Sequence, residues 1–476
     1  MTYAFTFDAS ACTGCKACQM ACKDKNNLPP GVLWRRVFEV CGGSWQQQGE
    51  AWTNDVFAYN LSIACNHCVH PKCAGVCPTN AYVQREDGIV YIDESKCMGC
   101  GYCNWACPYS VPQYNPELGR MTKCNFCLDE LAQGKPPACV AACPMRVLNY
   151  TVVSEQLSVS SEQLSVIGEE YQELWQVPAM EHPFPLPAFS RTQPHLAIKP
   201  HPAMGNDLEK AIANREETRP RRETGREELP LVAFTLLTQM AGGMAVTAGF
   251  FQPSTFYLLT IGFLLALGGL ISFLHLGTKK NAWRAVFHLK KSWLSREILA
   301  FGLFGLAWLT WLLAHGLLTY STFHFTFYAL TFYALRITAL LGFVTIYAMA
   351  RVYHLRAISG WNTWRTEAAF FLAAGTLGTL ATALLTGRPS FLLAAIPFLA
   401  GEAALILSAR KKAHETASRL RLGLIAAAAI GAWMVAQGAE SARVWTTFPI
   451  FLPAAFQEVL GRLAFYALRH DKQKLP

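Results

Sequence analysis

Sixteen of the seventeen cysteines in this chain fall into four groups of four, at spacings that suit iron. The first group is Cys12-x2-Cys15-x2-Cys18-x3-Cys22. The second is Cys65-x2-Cys68-x4-Cys73-x3-Cys77, followed by Pro78. The third is Cys97-x2-Cys100-x2-Cys103-x3-Cys107, followed by Pro108. The fourth is Cys124-x2-Cys127-x11-Cys139-x3-Cys143, followed by Pro144. Three closely spaced thiolates can wrap one cubane, and the last cysteine of the run is carried away to a second cluster. Sixteen ligands taken four at a time predict four [4Fe–4S] clusters. Zinc is the main rival for CxxC pairs, but zinc sites do not require repeated Cx2Cx2Cx3C runs. Cys41 lies outside the pattern and reads as an ordinary thiol. A secreted disulfide scaffold would need a signal peptide. None is expected, because Met1 to Ser10 has no basic start, no long apolar core and no small-residue cleavage site. Arg35-Arg36 lies too deep for a twin-arginine leader.

The runs resemble the wiring of bacterial two-cluster ferredoxins. That pseudo-symmetry implies that group one pairs with group four, and group two with group three. The implied ligand sets are Cys12, Cys15, Cys18 and Cys143; Cys22, Cys124, Cys127 and Cys139; Cys65, Cys68, Cys73 and Cys107; and Cys77, Cys97, Cys100 and Cys103.

Four regions must carry this chemistry. Residues 1 to about 150 form a compact cysteine-rich domain, expected to be an α+β double domain of the bacterial ferredoxin kind. Residues 151–229 are polar and rich in Pro, Glu and Arg, and read as an extended linker. The linker repeats SEQLSV at Ser154–Val159 and Ser161–Val166; two copies make no solenoid. Its Pro178–Pro202 stretch reads as extended chain that wraps the cysteine domain or a partner. Residues 230–470 hold apolar runs long enough to cross a bilayer, which takes about 20 residues. Eight helices are expected, near 231–251, 256–276, 298–318, 327–350, 367–386, 391–409, 420–438 and 447–468, forming an all-α polytopic bundle. The last carries Glu458 and Arg462, which can pair at i, i+4. Small residues such as Gly375 and Gly378 suit close helix contact. Residues 471–476 are a short basic tail.

The net charge of +9 does not point to nucleic acid, since no basic face interleaved with stacking aromatics is present. The basic residues gather instead in the loops on one side of the expected bundle. That side holds the segment before the first helix, the loops 2–3, 4–5 and 6–7, and the tail. The opposite loops hold only Arg388 and Arg443. The positive-inside rule then predicts a multi-pass protein of the cell's inner membrane, with its cysteine domain on the cytoplasmic side. Trp283, Trp293, Trp361 and Trp364 lie in the same loops, as interfacial anchors should.

With these features in place, the first 150 residues resemble the four-cluster subunit of DMSO reductase and its molybdopterin-enzyme relatives. The resemblance rests on the four groups, notably CNHCVHPKCAGVCP and CMGCGYCNWACPYSVPQYN. Some relatives replace one third-group cysteine and hold a three-iron cluster; Cys100 fills that position here, which implies four cubanes. The membrane half resembles the DMSO reductase anchor subunit, of the polysulfide-reductase-like quinol-binding class. The matching stretches are His275-Leu-Gly277, Leu294-Ser-Arg-Glu-Ile298 (Glu297 and Ile298 closing the run), Arg351-Val-Tyr353, Glu458-Val-Leu-Gly-Arg462 and Phe465-Tyr466. In that family the two subunits are usually separate chains, so the sequence looks like a natural fusion. The resemblance implies an electron-transfer and anchor subunit working with a separate catalytic subunit that carries a molybdenum or tungsten pterin cofactor. It further implies an exchangeable quinone or menaquinone, contact with membrane lipid, and a redox role that is non-catalytic at the substrate end.

A quinol site needs an apolar pocket near a cluster and groups that exchange two protons. His275 ends the second expected helix and Glu297 begins the third, and the resemblance makes them the quinol-site pair. Their plainer readings are an interfacial histidine and a first-turn carboxylate after Ser295 as N-cap. Arg336 and Glu402 lie inside helices four and six; buried membrane charges are usually paired, so a structural Arg336–Glu402 pair is expected over a proton path. Haem would need axial histidines on facing helices. His315, His324 and His354 sit at or near helix ends, so no haem is expected. Two other functions remain in view: the same module run in reverse, in a cytoplasm-facing sulfite- or formate-oxidising complex that reduces quinone, and a module of an ion-translocating respiratory complex.

Overall fold

The computed structural model describes residues 2–153, 191–203, 228–320, 324–408, 415–438 and 444–468. The SEQLSV repeat, most of the linker and the basic tail lie outside the described residues. The protein divides into two compact units, one built on the cysteine-rich segment and one on the apolar helices.

In the first unit, the CxxC loops set the local geometry. The residue before the second cysteine is left-handed in each group: Gly14 (φ 69°), His67 (φ 43°), Gly99 (φ 76°) and Phe126 (φ 64°). Such turns aim successive thiols and N–H groups into one concavity. A side chain on Gly14 would collide with the Asn60 amide. His67 and Phe126 adopt the strained region with side chains and are fully buried. Each such residue costs about 1–3 kcal/mol, which only surrounding packing can hold. That packing is visible: Phe126 stacks on Phe5 at 4.1 Å and meets His67 edge-on at 5.2 Å, and His67 Nδ1 accepts from the Val90 N–H at 3.0 Å.

Short helices follow: α1 (Ala17–Lys25) carries Cys18 and Cys22, α2 (Lys72–Val76) Cys73, α3 (Tyr102–Ala106) Cys103 and α5 (Ala138–Ala141) Cys139, while α4 (Leu128–Leu131) starts directly after Cys127. The strands frame them. β1 (Thr2–Asp8) pairs antiparallel with β10 (Leu148–Val153), so the two ends of the cysteine segment close on each other. Hairpins β6 (Tyr82–Gln84) with β7 (Val90–Ile92) and β8 (Gln113–Asn115) with β9 (Arg120–Thr122) frame the inner groups. Between groups one and two, β2 (Arg36–Gly42) pairs with β5 (Phe57–Ile63), and β3 (Trp45–Gln48) with β4 (Ala51–Asn54).

The segment 191–203, read from sequence as part of the linker, is a structural piece of this unit. Its Leu196–Lys199 forms β11, parallel to β1, with Leu196, Ala197 and Ile198 buried. The apolar Leu-Ala-Ile run explains the pairing, and its setting among prolines and histidines hid it. Lys280–Arg284 also belongs to this unit: Asn281 Nδ2 donates to the carbonyls of Ser95 and Cys97, both at 2.9 Å.

The second unit is α6 (Leu229–Thr247), α7 (Thr255–Leu274), α8 (Trp293–Tyr320), α9 (His324–Val352), α10 (Trp364–Thr386), α11 (Ser390–Ser408), α12 (Glu415–Gly438) and α13 (Val444–Ala467). All eight are long and apolar enough to cross a membrane, as the sequence predicts. α6 and α10 cross in direct backbone contact, since a Cβ on Gly243 would meet the Ala374 carbonyl at 2.0 Å and one on Gly378 would meet Gly243 at 2.5 Å. This is the small-residue contact that lets membrane helices pack by van der Waals fit.

Three local expectations are corrected here. Helix α8 begins at Trp293, not near 298, because Ser292 is the cap and its Oγ accepts from the Ser295 N–H at 3.4 Å. Ser295 is therefore inside the helix, and Glu297 lies beyond its first turn. Arg336 does not pair with Glu402: its guanidinium stacks on Phe332 at 4.0 Å, one turn away, while Glu402 is bound by Thr376 and Gln457. Glu458 and Arg462 form no ion pair among the described residues; Gln457 donates to Glu458 at 2.9 Å and Arg462 donates to Gln239 at 3.0 Å.

Candidate functional site

The first unit brings the sixteen cysteines together four by four. Cys12 lies within electrostatic reach of Cys15, Cys18 and Cys143. Cys124 faces Cys22, Cys127 and Cys139. Cys73 faces Cys65, Cys68 and Cys107. Cys103 faces Cys77, Cys97 and Cys100. The first of these sets lines a pocket with Gly14 and Ser62, and the last lines another with Tyr82 and Gly99. Cys41 is exposed on β2, apart from all four sets. No three His, Cys, Asp or Glu side chains among the described residues converge on the scale of a single metal ion.

The sets also have an order. Cys18 of the first set reaches Cys139 of the second, and Cys124 of the second reaches Cys65 of the third. Tyr82 stands beside Cys73, Cys77 and Cys103, between the third and fourth. Electron relays need short steps of this kind between neighbouring centres.

Whether these residues fit iron–sulfur clusters is tested by the charges among them. Arg35 is only 1% exposed. Its Nη1 donates to Ser62 O at 3.2 Å and Ser62 Oγ at 3.1 Å, and its Nε and Nη2 have no partner among the described residues. Lys123 is 4% exposed and donates to Cys65 Sγ at 3.4 Å, to the Cys124 carbonyl at 3.0 Å and to the Val90 carbonyl. A buried cation without a carboxylate is costly. Arg35 faces Cys18, Cys22, Cys124 and Cys139, and Lys123 faces Cys65, Cys73 and Cys124. Thiolate-ligated clusters carry negative charge, so each cation sits where that charge would compensate it. Further donors reach the sulfurs: Ala81 N–H to Cys77 Sγ and Phe126 N–H to Cys124 Sγ, both at 3.4 Å. As bare thiols, Cys22, Cys68 and Cys100 are pushed up to about 12 by burial; metal ligation is what deprotonates such groups near neutrality. The residues fit.

Sequence reading missed Arg35 and Lys123. The only available signal was two basic residues, one ahead of group two and one directly before Cys124, in a segment that must bury its clusters.

In the second unit, His275 caps the C-terminus of α7 and its Nδ1 lies 2.5 Å from the Ser272 carbonyl. A carbonyl can only accept, so in the neutral ring Nδ1 carries the hydrogen and Nε2 is left as an acceptor. Glu297 is 5% exposed. No hydrogen bond or ion pair joins it to His275 among the described residues. Its neighbours are Tyr353 and Tyr466, which also face Arg462. The two tyrosine hydroxyls are 2.6 Å apart, caged by Trp361, Phe370 and Phe465. His354 is bound to Glu367 at 3.2 Å. The side chain of His324 lies outside the described residues.

Comparison with known proteins divides the sequence at the same place as its chemistry. Residues 56–153 match the 4Fe-4S dicluster domain, and residues 222–440 match the DMSO reductase anchor subunit family. Over 199 residues the sequence is 45% identical to a component of the anaerobic dimethyl sulfoxide reductase of Escherichia coli, covering 42% of this protein and 89% of that relative. This protein belongs to the DMSO reductase iron–sulfur subunit family. It is 42% identical over 154 residues to a thiosulfate reductase electron transfer subunit of Salmonella typhi, covering 32% of this protein and 77% of that one. With a component of the tetrathionate reductase of Salmonella typhimurium it shares 40% over 141 residues, 30% of this protein and 54% of that relative. This member of the DMSO reductase family joins the iron–sulfur and anchor parts in one polypeptide. It is an electron-transfer and membrane-anchor subunit of a molybdopterin oxidoreductase, and an integral multi-pass membrane protein.

Proposed function

We propose that the sixteen cysteines hold four [4Fe–4S] clusters in the sets given above, and that these link a quinol site in the membrane unit to a separate catalytic molybdopterin subunit. The observation that carries the cluster proposal is the four-by-four gathering of thiols with two uncompensated cations among them. Bound clusters would supply one-electron storage at each set; the protein's part is to hold them in order and to set their charge. Arg35 and Lys123 stabilise the more negative, reduced form.

The quinol site is assigned to His275 and Glu297. Oxidising a quinol releases two electrons and two protons, so two acceptors are needed. Nε2 of His275 takes one proton, and the Glu297 carboxylate, with no basic partner at hydrogen-bond distance among the described residues, takes the other. The relatives named above are all described as reductases, which supports electron flow from quinol toward the catalytic subunit. The loop charges support a cytoplasmic position for the iron–sulfur unit and for that partner, with lipid around the bundle. A sulfoxide or a sulfur oxoanion is the substrate class that the names of the relatives support.

The test is Glu297→Gln in the intact complex. Quinol-linked reduction of substrate should fall at least about a hundredfold, as expected for loss of an acid–base group. Activity driven by reduced viologen, which feeds the catalytic end directly, should not change. Wild-type quinol oxidation in this variant would reject the site.

A further inference from the structure

A cavity of about 500 Å³ opens within the membrane unit, lined by Glu402, Glu458, Arg421, Arg462 and the α9–α10 connection at Ser359, Gly360 and Thr363. Its walls are unusual for a lipid-spanning bundle. Glu402 and Glu458 are 4% and 5% exposed. They share one amide: Gln457 Nε2 donates to Glu402 Oε2 at 2.5 Å and to Glu458 Oε1 at 2.9 Å. Thr376 Oγ1 donates to the other Glu402 oxygen at 2.6 Å. Gln457 Oε1 in turn accepts from Arg421 Nε at 3.3 Å and Nη2 at 3.2 Å. Ionisable groups at this depth are costly and are usually functional. One amide thus bridges the two carboxylates, and Arg421 binds the far end of that amide.

The carboxylates also connect to the proposed quinol site. Arg462 lies within electrostatic reach of Glu458, Tyr466 and Tyr353. Both tyrosines face Glu297. Arg462 is 4% exposed and its Nε has no hydrogen-bond partner among the described residues, nor has Nε2 of the fully buried Gln239 beside it. Unsatisfied donors beside a polar cavity are the places where water binds.

We propose that Glu402 and Glu458 are the proton-release station for the quinol site. Protons from Glu297 pass through the Tyr353–Tyr466 hydroxyl pair and water held by Arg462, reach the carboxylate pair, and leave by the cavity. The inference rests on Glu297 being the proton acceptor from quinol. The balance is simple: each quinol oxidised gives two electrons to the iron–sulfur relay and two protons, one by this route and one by His275. The cavity reaches the bundle end where α9 gives way to α10, which is also the end that bears Glu297, so these protons return to the side on which the quinol reacts. The redox cycle is then uncoupled from charge movement across the bundle by this route.

The test uses the intact complex with Glu402→Gln, Glu458→Gln, the double variant, and Glu297→Gln as control. Three readouts separate the possibilities: oxidation of a menaquinol analogue, oxidation of reduced viologen, and the affinity for a hydroxyquinoline N-oxide inhibitor. The double variant should oxidise the quinol at least about tenfold more slowly, with viologen activity and inhibitor affinity unchanged. Glu402→Asp with Glu458→Asp should restore most of the rate. Normal quinol oxidation in the double variant, with Glu297→Gln slow, overturns the route and leaves the site standing. Normal rates in every variant, the control included, overturn the site and the route together. Loss of inhibitor binding in the double variant shows a structural role and overturns the route.

Discussion

The two units solve the burial of charge in opposite ways. In the cysteine unit the charged groups are cations, Arg35 and Lys123, held against thiols by residues close in sequence to those thiols. In the membrane unit they include carboxylates: Glu402 is held by Thr376 and Gln457, Glu458 by the same Gln457, and Glu297 has no hydrogen-bond partner among the described residues. The first arrangement suits centres that receive electrons, since a fixed positive charge favours reduction. On the proposed reading the second suits groups that pass protons on, so that one polypeptide would keep the electron and proton halves of quinol chemistry in two different electrostatic settings.

That contrast can be broken at several points. The largest effect is expected from Cys100→Ser, which should remove or convert one cluster and abolish quinol-linked turnover, while Cys41→Ser leaves every cluster signal in place; electron paramagnetic resonance of the purified complex distinguishes them. Next, Gly378→Leu should prevent the α6–α10 contact and stop the membrane unit from accumulating, whereas the same change at Gly302, where a Cβ meets nothing, should be tolerated; membrane immunoblots report this. Lys123→Met should lower the potential of the cluster held by Cys65, Cys68, Cys73 and Cys107 by on the order of 60 mV, a tenfold shift in a one-electron equilibrium, with ligands intact in the spectrum. An unchanged potential would mean that the buried cation is balanced elsewhere. The smallest effect is Tyr257→Phe, which removes the buried hydroxyl that donates to the Met244 carbonyl at 2.8 Å and should cost about 1 kcal/mol of stability in thermal unfolding of the solubilised complex.

Sequence and structure agree best where chemistry is local. Each CxxC turn is read within four residues and each bilayer-length apolar run within one helix, so the iron–sulfur character of the domain and the eight spans are legible in the sequence. What was not legible depends on residues that meet only in three dimensions. Arg336 and Glu402 are apolar-run charges of opposite sign, and pairing them is the natural inference; the structure gives Arg336 an aromatic face and Glu402 a threonine and a glutamine. Tyr353 and Tyr466 stood out only as matches to a family. Their hydrogen bond joins segments 113 positions apart, beyond any periodicity. β11 was hidden for the same reason: a four-residue strand in a proline-rich stretch is defined by its partner β1, not by its own pattern.

The central claim is a relay of four cubanes in one polypeptide. A potentiometric titration of the purified complex, followed by electron paramagnetic resonance, tests it most directly. Four one-electron [4Fe–4S] centres should appear as the potential is lowered, with spin interactions between neighbours and no three-iron signal in the oxidised protein. Fewer than four centres, or a three-iron signal in the intact wild-type complex, would contradict the account.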